Sequence, residues 1–181
     1  EQVLPSGEHR RFVNTPGALA PFLKAERPEV RNVTRSVEWT GFLLGTTDKR
    51  FLENIRFVDP AFLEMFSLEF TDGNPRTALS QPNSIVLTDE MAKKHFPEGE
   101  AVGRELSMGQ GGSLLVTGVV KDLPTNSSFL SLSLVPLAAL EALGWNNNIW
   151  ESGNYETFVH LDEKADLETF KSQILDVYGK N

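Results

Sequence analysis

The stretch from Ser84 to Val120 constrains the fold more than any other part of the chain. Ser84-Ile85-Val86-Leu87 is an apolar run of strand length, and Thr88 follows where a helix N-cap belongs. Asp89 and Glu90 then occupy the first helical turn, and Lys93 and Lys94 stand towards its end. That order complements the helix dipole. Met91, Ala92, His95 and Phe96 form the apolar stripe, and Pro97 stops the helix. Leu106 to Met108 and Leu114 to Val120 read as two strands joined across Gly109-Gln110-Gly111-Gly112, a hairpin signal. Gly118, inside the second strand, predicts a bulge or a close backbone approach. A strand, a capped helix and a hairpin in so short a span argue against a doubly wound parallel sheet. The expected class is α+β.

The flanking segments add elements of both kinds. Thr15-Pro16 reads as an N-cap and first helical position, with Leu19, Phe22 and Leu23 on one face and Pro28 as the end. Val33, Val37 and Trp39 alternate with Asn32, Thr34, Ser36 and Glu38, the pattern of a half-buried strand. Arg35 falls on the apolar side, which implies a wet strand end or a carboxylate partner. Phe51 to Val58 is a further strand. Asp59-Pro60 then reads as the cap of a short helix bearing Phe62, Leu63 and Phe66. Residues 71 to 75 are a turn cluster. Leu130 to Val135 reads as a strand, Pro136 to Leu143 as a helix, Asn146 to Asn148 as loop, and Tyr155 to Leu161 as a strand. Asp166 caps a last helix whose buried face is Leu167, Phe170, Ile174 and Val177 or Tyr178.

The chemical inventory is thin. With no Cys, thiol nucleophiles, disulfides, zinc-thiolate sites and iron–sulfur clusters are excluded. His9, His95 and His160 are far apart and show no metal-ligand spacing. Gly109–Gly112 lacks the Gly-Lys-Ser/Thr ending of a phosphate loop. Ser113 and Ser152 neighbour glycine without forming a nucleophile elbow. Glu98 and Glu100 are close carboxylates, but loop acids two apart are ordinarily solvated. The reading is therefore no catalytic residue, no metal and no cofactor. A net charge of −8 argues against a nucleic-acid partner, which requires a basic face.

The longest apolar run, Leu134–Leu140, is broken by Pro136 and falls far short of the roughly 20 residues of a membrane span. The chain opens on Glu1 without Met, so it reads as a piece of something longer. Trp145 and Trp150 bracket a polar loop. They read either as core residues or as anchors of a partner-docking surface.

Three stretches taken in order carry a resemblance. They are Phe57-Val58-Asp59-Pro60-Ala61-Phe62-Leu63-Glu64-Met65-Phe66, then Asn83 to Phe96 continuing to Val102-Gly103-Arg104, then Val116-Thr117-Gly118-Val119-Val120-Lys121-Asp122-Leu123-Pro124 with Asn126-Ser127. Together they resemble the MacB-like periplasmic core domain of FtsX-like ABC transporter permeases, in a variant like those of Bacteroidetes. The resemblance covers roughly residues 8–178. The loop Phe96-Pro97-Glu98-Gly99-Glu100-Ala101-Val102-Gly103 departs modestly from the family pattern. The resemblance marks Asp59, Pro60, Phe62, Phe66, Thr88, Phe96, Gly103, Gly118, Asp122 and Pro124 as structural residues of the motifs.

The resemblance implies a two-lobed domain at the periplasmic face of the inner membrane. A porter-like βαβ lobe would come from residues 1–60 and 136–181, with a β-rich lobe inserted at 61–135. It also implies a non-catalytic role: transmitting motion driven by a cytoplasmic ATPase to periplasmic partners or substrate, in efflux or in lipoprotein or peptide export. Implied partners are that ATPase, a second permease copy, and a periplasmic adaptor with an outer-membrane channel. The alternatives are a regulatory permease domain controlling a periplasmic protein, and, from another class, a secreted binding protein or enzyme whose site forms only in three dimensions.

Overall fold

A computed structural model of the chain describes residues 2–3, 9–10, 14–109, 111–127, 129, 133–151 and 153–180. In chain order the elements are β1 (Gln2–Val3), β2 (His9–Arg10), β3 (Thr15–Pro16), α1 (Leu19–Glu26), β4 (Val30–Gly45), β5 (Arg50–Val58), α2 (Phe62–Met65), β6 (Phe70–Gly73), β7 (Ser84–Thr88), α3 (Asp89–His95), β8 (Glu105–Met108), β9 (Ser113–Val120), β10 (Leu134–Pro136), α4 (Ala138–Ala142), β11 (Gly153–Leu161) and α5 (Leu167–Lys180). Strands and helices are mixed, with antiparallel and parallel pairs in the sheets, so the fold is α+β.

The chain divides into two compact units, residues 1–35 with 148–181, and residues 36–147. Both boundaries differ from the 60/61 and 135/136 expected from the sequence. The reason is strand pairing. Arg56, Phe57 and Val58 of β5 pair in parallel with Leu134, Val135 and Pro136 of β10, which ties the flanking segments to the middle of the chain.

In the first unit β1 pairs with β2, and β11 lies between β3 and β4. Leu19, Ala20 and Leu23 of α1 close with Val30, Val33, Phe170 and Val177 into a core, and Phe22, Trp150, Val159, Leu161 and Ile174 pack against it. Asp166 caps α5 as expected, its Oδ1 accepting from Thr169 N at 2.7 Å. Leu167 does not share the buried face; it is exposed, and the face begins at Phe170. The side chain of Tyr178 lies outside the described residues. Thr15 is not a helix cap. Its hydroxyl donates to Tyr155 O at 2.9 Å, and Thr15-Pro16 forms a strand on β11, so α1 starts at Leu19 with Ala18 at the N-cap. Arg35 is buried and donates through Nη1 to Gly17 O at 2.9 Å and to Asn148 Oδ1 at 2.8 Å, with Tyr155's ring beneath its guanidinium.

In the second unit hydrogen bonding runs β4-β5-β10-β7-β9, with β6 on the far side of β9. β8 pairs with both β9 and β4, through Leu106↔Leu114 and Leu44↔Met108, so six strands close into a ring. Register places Leu44, Ile55, Ile85, Leu87, Leu106 and Leu114 on one face, and all are fully buried. The opposite face carries Val58, Val86, Val120 and Leu134. Phe62, Ala78 and Leu79 cover it, with Phe66 and Phe129 packed alongside. Burial on both faces explains why β4 is not the half-buried strand that alternation suggested, since Thr34 and Ser36 are buried along with Val33.

Several local expectations shift by a residue or two. α2 begins at Phe62 with Ala61 at the N-cap, preceded by a turn in which Asp59 O accepts from Phe62 N at 2.9 Å. Residues 71–73 are strand rather than turn, because β6 pairs with β9. Pro136 ends a strand and α4 starts at Ala138. Of the strand expected at 130–135, residues 130–132 lie outside the described residues. The Ser84–Val120 stretch folds as read. Thr88 Oγ1 accepts from Met91 N at 3.3 Å, and β8 and β9 form the hairpin. The bulge falls at Gly118: Ile85 pairs with Val116 and Val86 with Gly118, which leaves Thr117 extra. Thr117's hydroxyl donates to Ala78 O at 2.6 Å.

Candidate docking site

The three motif stretches converge in the second unit. Phe62 and Phe66 stack with ring centroids 4.4 Å apart. Asp122 follows β9 beside its parallel neighbour β7, its Oδ1 accepting from Glu90 N at 2.9 Å, so it and Thr88 hold the first turn of α3 together. Phe96 lies under the Arg104 guanidinium at 4.2 Å, and Arg104 also pairs with Glu98. Gly103, at φ +87°, donates its N–H to Val116 O at 2.7 Å. Pro124 O accepts from Ser127 N at 2.8 Å. A Cβ at Gly118 would come within 2.6 Å of the Phe70 ring. These residues build the fold, and none of them lines the groove beside Trp39. Glu98 and Glu100 do not form an acid–base pair: Arg104, which bonds to Glu98, holds that carboxyl below its usual range, and Glu100 sits at φ 38°.

The two tryptophans part company. Trp150 belongs to the first unit, edge-on to Phe22 at 5.7 Å and packed against that core. Trp145 belongs to the second and is 49% exposed. Gly144 places it. At φ +87°, Gly144 ends α4, with Gly144 N donating to Glu141 O at 2.9 Å and Trp145 N to Leu140 O at 3.0 Å, the paired bonds of a Schellman turn. Asn147, fully buried, pins the following loop by donating to Leu137 O at 3.0 Å.

So held, the Trp145 indole meets Trp39 edge-on at 5.1 Å, and Trp39 in turn meets Phe57 at 5.2 Å. Trp39 begins a bulge in β4. The register steps from Trp39↔Ile55 to Phe42↔Glu53, leaving one extra residue at Thr40-Gly41, where Gly41 takes φ +71°. Beside the bulge lies an open groove of about 510 Å³ lined by Trp39, Thr40, Gly41, Phe42, Leu43 and Gly109. Gly109 N donates to Leu43 O at 2.9 Å, a close approach that a side chain would obstruct, since a Cβ there would sit 2.7 Å from Leu43 Cβ. Leu43 and its register partner Leu52 are both exposed.

The lining is aromatic, aliphatic and backbone, with Thr40 as its one hydroxyl and no ionisable side chain among the described residues. Such a surface suits adhesion rather than bond-making. The histidines do not contribute to it: His95 is buried at the end of α3, His160 is exposed on β11, and the side chain of His9 lies outside the described residues. Among the described residues no group of three or more His, Asp or Glu is arranged to hold a metal. The sequence singled out Trp145, which meets Trp39 without lining the groove, and not the bulge that shapes it; Gly41, two residues after Trp39, was the one signal of that bulge.

The fold is that of the periplasmic domains of transport permeases. The chain belongs to the MacB-like periplasmic core domain family, whose model matches residues 2–177. A domain of a candidate permease protein from Porphyromonas gingivalis is similar at 25% identity and TM-score 0.82, over 96% of this chain and 73% of that one. The periplasmic region of MacB from Actinobacillus actinomycetemcomitans shares the fold at 16% identity and TM-score 0.67, over 93% and 74%. So does the extracellular domain of the noncanonic ABC-type transporter YknZ from Gram-positive bacteria, at 16% identity and TM-score 0.57, over 88% and 84%. No curated protein matches the sequence. Among the described residues no helix is long and apolar enough to cross a membrane.

Proposed function

We propose that this domain transmits ATP-driven movement of a membrane permease to a periplasmic partner or substrate, in efflux or in lipoprotein or peptide export. The observation that carries the reading is the family match over residues 2–177. The ring of the second unit supports it, because strands hydrogen-bonded in a closed circuit resist deformation and can pass on an applied force as a body. The cytoplasmic ATPase is a separate domain or subunit, and a second permease copy completes the assembly. The groove beside Trp39 and Trp145 is the surface offered to the adaptor, with Trp145 as its exposed anchor.

Affinity purification of the full-length protein from membranes tests this reading. Recovery of an ATPase with an adaptor and an outer-membrane channel is the expected result. Recovery of a cell-wall hydrolase or a kinase in their place would assign the domain to regulation instead. A full-length reading frame with no hydrophobic spans around this domain would remove the permease reading altogether.

A further inference from the structure

Glu53 on β5 and His95 on α3 are buried ionisable side chains that the docking surface does not use. The imidazole is fully enclosed, the Glu53 carboxylate nearly so, and His95 Nε2 lies 3.2 Å from Glu53 Oε1. That approach falls short of a well-formed hydrogen bond, and neither ring nitrogen has another partner among the described residues. The same Oε1 faces Lys94 Nζ at 2.7 Å, and Lys94 comes from the solvent side. Phe51 closes the site, edge-on to His95 at 5.3 Å and beneath Lys94 Nζ at 4.7 Å. α3 also packs on β7 and β9, which contribute no ionisable side chain. Of the other charges on α3, Glu90 and Lys93 are exposed, and Asp89 accepts from the Thr71 hydroxyl.

The charges can be counted. One carboxylate is matched by one ammonium, so the cluster is neutral only while His95 is neutral. A proton on His95 would leave a net positive charge in a site with little water to solvate it. We propose that this cluster is an acid-sensitive latch, holding α3 on β5 near neutral pH and loosening it when His95 takes a proton. Burial is the main force lowering the His95 pKa below the ordinary imidazole range; Glu53 opposes the shift and Lys94 adds to it. The sign follows. With the folded value depressed, the unfolded state binds the proton first. Docking is complete above about pH 6.5 and is lost as pH falls towards the folded value. α3 carries the Thr88 and Asp122 contacts at its start and Phe96 at its end, so its release would disturb the part of the ring built by the second and third motifs.

Amide hydrogen exchange across residues 89–95, corrected for intrinsic pH effects, reads the latch directly. In the unaltered chain protection should fall below about pH 6.5, by at most about tenfold per pH unit for one proton. His95→Gln should abolish the dependence. Lys94→Met frees Glu53 to pair with protonated His95, so acidification should then preserve or raise protection. The latch is refuted if the unaltered chain shows no fall, if His95→Gln retains it, or if Lys94→Met titrates like the unaltered chain. The Lys94 variant keeps the test decisive even where His95→Gln fails to fold.

Discussion

Removing the Asp122 carboxylate asks whether a loop residue far along the chain holds the start of α3. Asp122 Oδ1 accepts from Glu90 N at 2.9 Å and Thr88 Oγ1 from Met91 N at 3.3 Å, so two neighbouring amides of the first turn are satisfied from opposite sides. Loss of a capping side chain costs about 1 kcal/mol. A carboxylate at a helix N-terminus adds roughly 0.3–1 kcal/mol through the dipole. The Asp122 bond is the shorter and is charge-assisted, so Asp122→Ala should lose about 1.5 kcal/mol and Thr88→Ala about 1 kcal/mol. Asp122→Asn keeps an acceptor oxygen and drops only the charge, for a loss of about 0.5 kcal/mol. Because the two caps serve one turn, the double variant should depart from additivity by about 0.5 kcal/mol or more. Urea unfolding followed by circular dichroism measures these differences, with the midpoint shifting at constant slope. In a thermal melt 1.5 kcal/mol corresponds to about 3–6 °C for a chain of this length. The reasoning fails if Asp122→Ala stays within about 0.3 kcal/mol of the unaltered chain, the scatter of independent sites. It also fails if Asn is as damaging as Ala.

Three further outcomes are expected. Glu100 holds φ 38°, a conformation costly for any residue with a Cβ, so Glu100→Gly should be neutral or stabilising by up to about 1 kcal/mol in the same urea assay. In the first unit, Asp162 is held below its usual pKa by bonds from Lys164 N and the Arg31 guanidinium, and Asp166 by bonds from Thr169. Their stabilisation is present above the ordinary carboxylate range and lost as pH falls through the lowered values. The melting temperature of Asp166→Ala should therefore fall less steeply on acidification than that of the unaltered chain. Trp145→Ala should cost under about 1 kcal/mol, since the ring is half-exposed, yet should abolish adaptor recovery from membranes; a stable variant that still recovers the adaptor removes this anchor.

Much of the second unit could be read locally. Thr88, its acidic first turn and Pro97 delimit a helix through contacts no farther than a few residues. The Gly109–Gly112 turn joins strands adjacent in sequence, and Gly118 announced its bulge by lacking a side chain in an otherwise apolar run. Asp59-Pro60 and Thr15-Pro16 misled for opposite reasons. Both carry the right residues for a cap, but Thr15's hydroxyl is taken by Tyr155, and the turn at Asp59 tightens before α2 proper begins. The first competitor lies 140 residues away in the chain, and the second is a local turn that the same residues also favour. Leu167 kept helical spacing and still faces solvent, because periodicity assigns a face without saying how far along it the core extends.

The amino-acid order alone determined most of the element types, the α+β class and the absence of thiol chemistry, since these depend on backbone preference, on periods of 2 and 3.6, and on composition. The ordered motifs pointed to the family that the match over residues 2–177 establishes. Tertiary structure alone decided how β8 closes the ring onto β4, and that Trp145 and Trp150 fall in different units. It also brought Asp122 beside Glu90 at the ends of paired strands and enclosed Glu53 with His95 beside Phe51. The strand closure and the two side-chain pairings join residues far apart in the chain. Such pairings are settled by which strands can satisfy one another's hydrogen bonds while burying the same face, a condition of the whole molecule that no local pattern encodes.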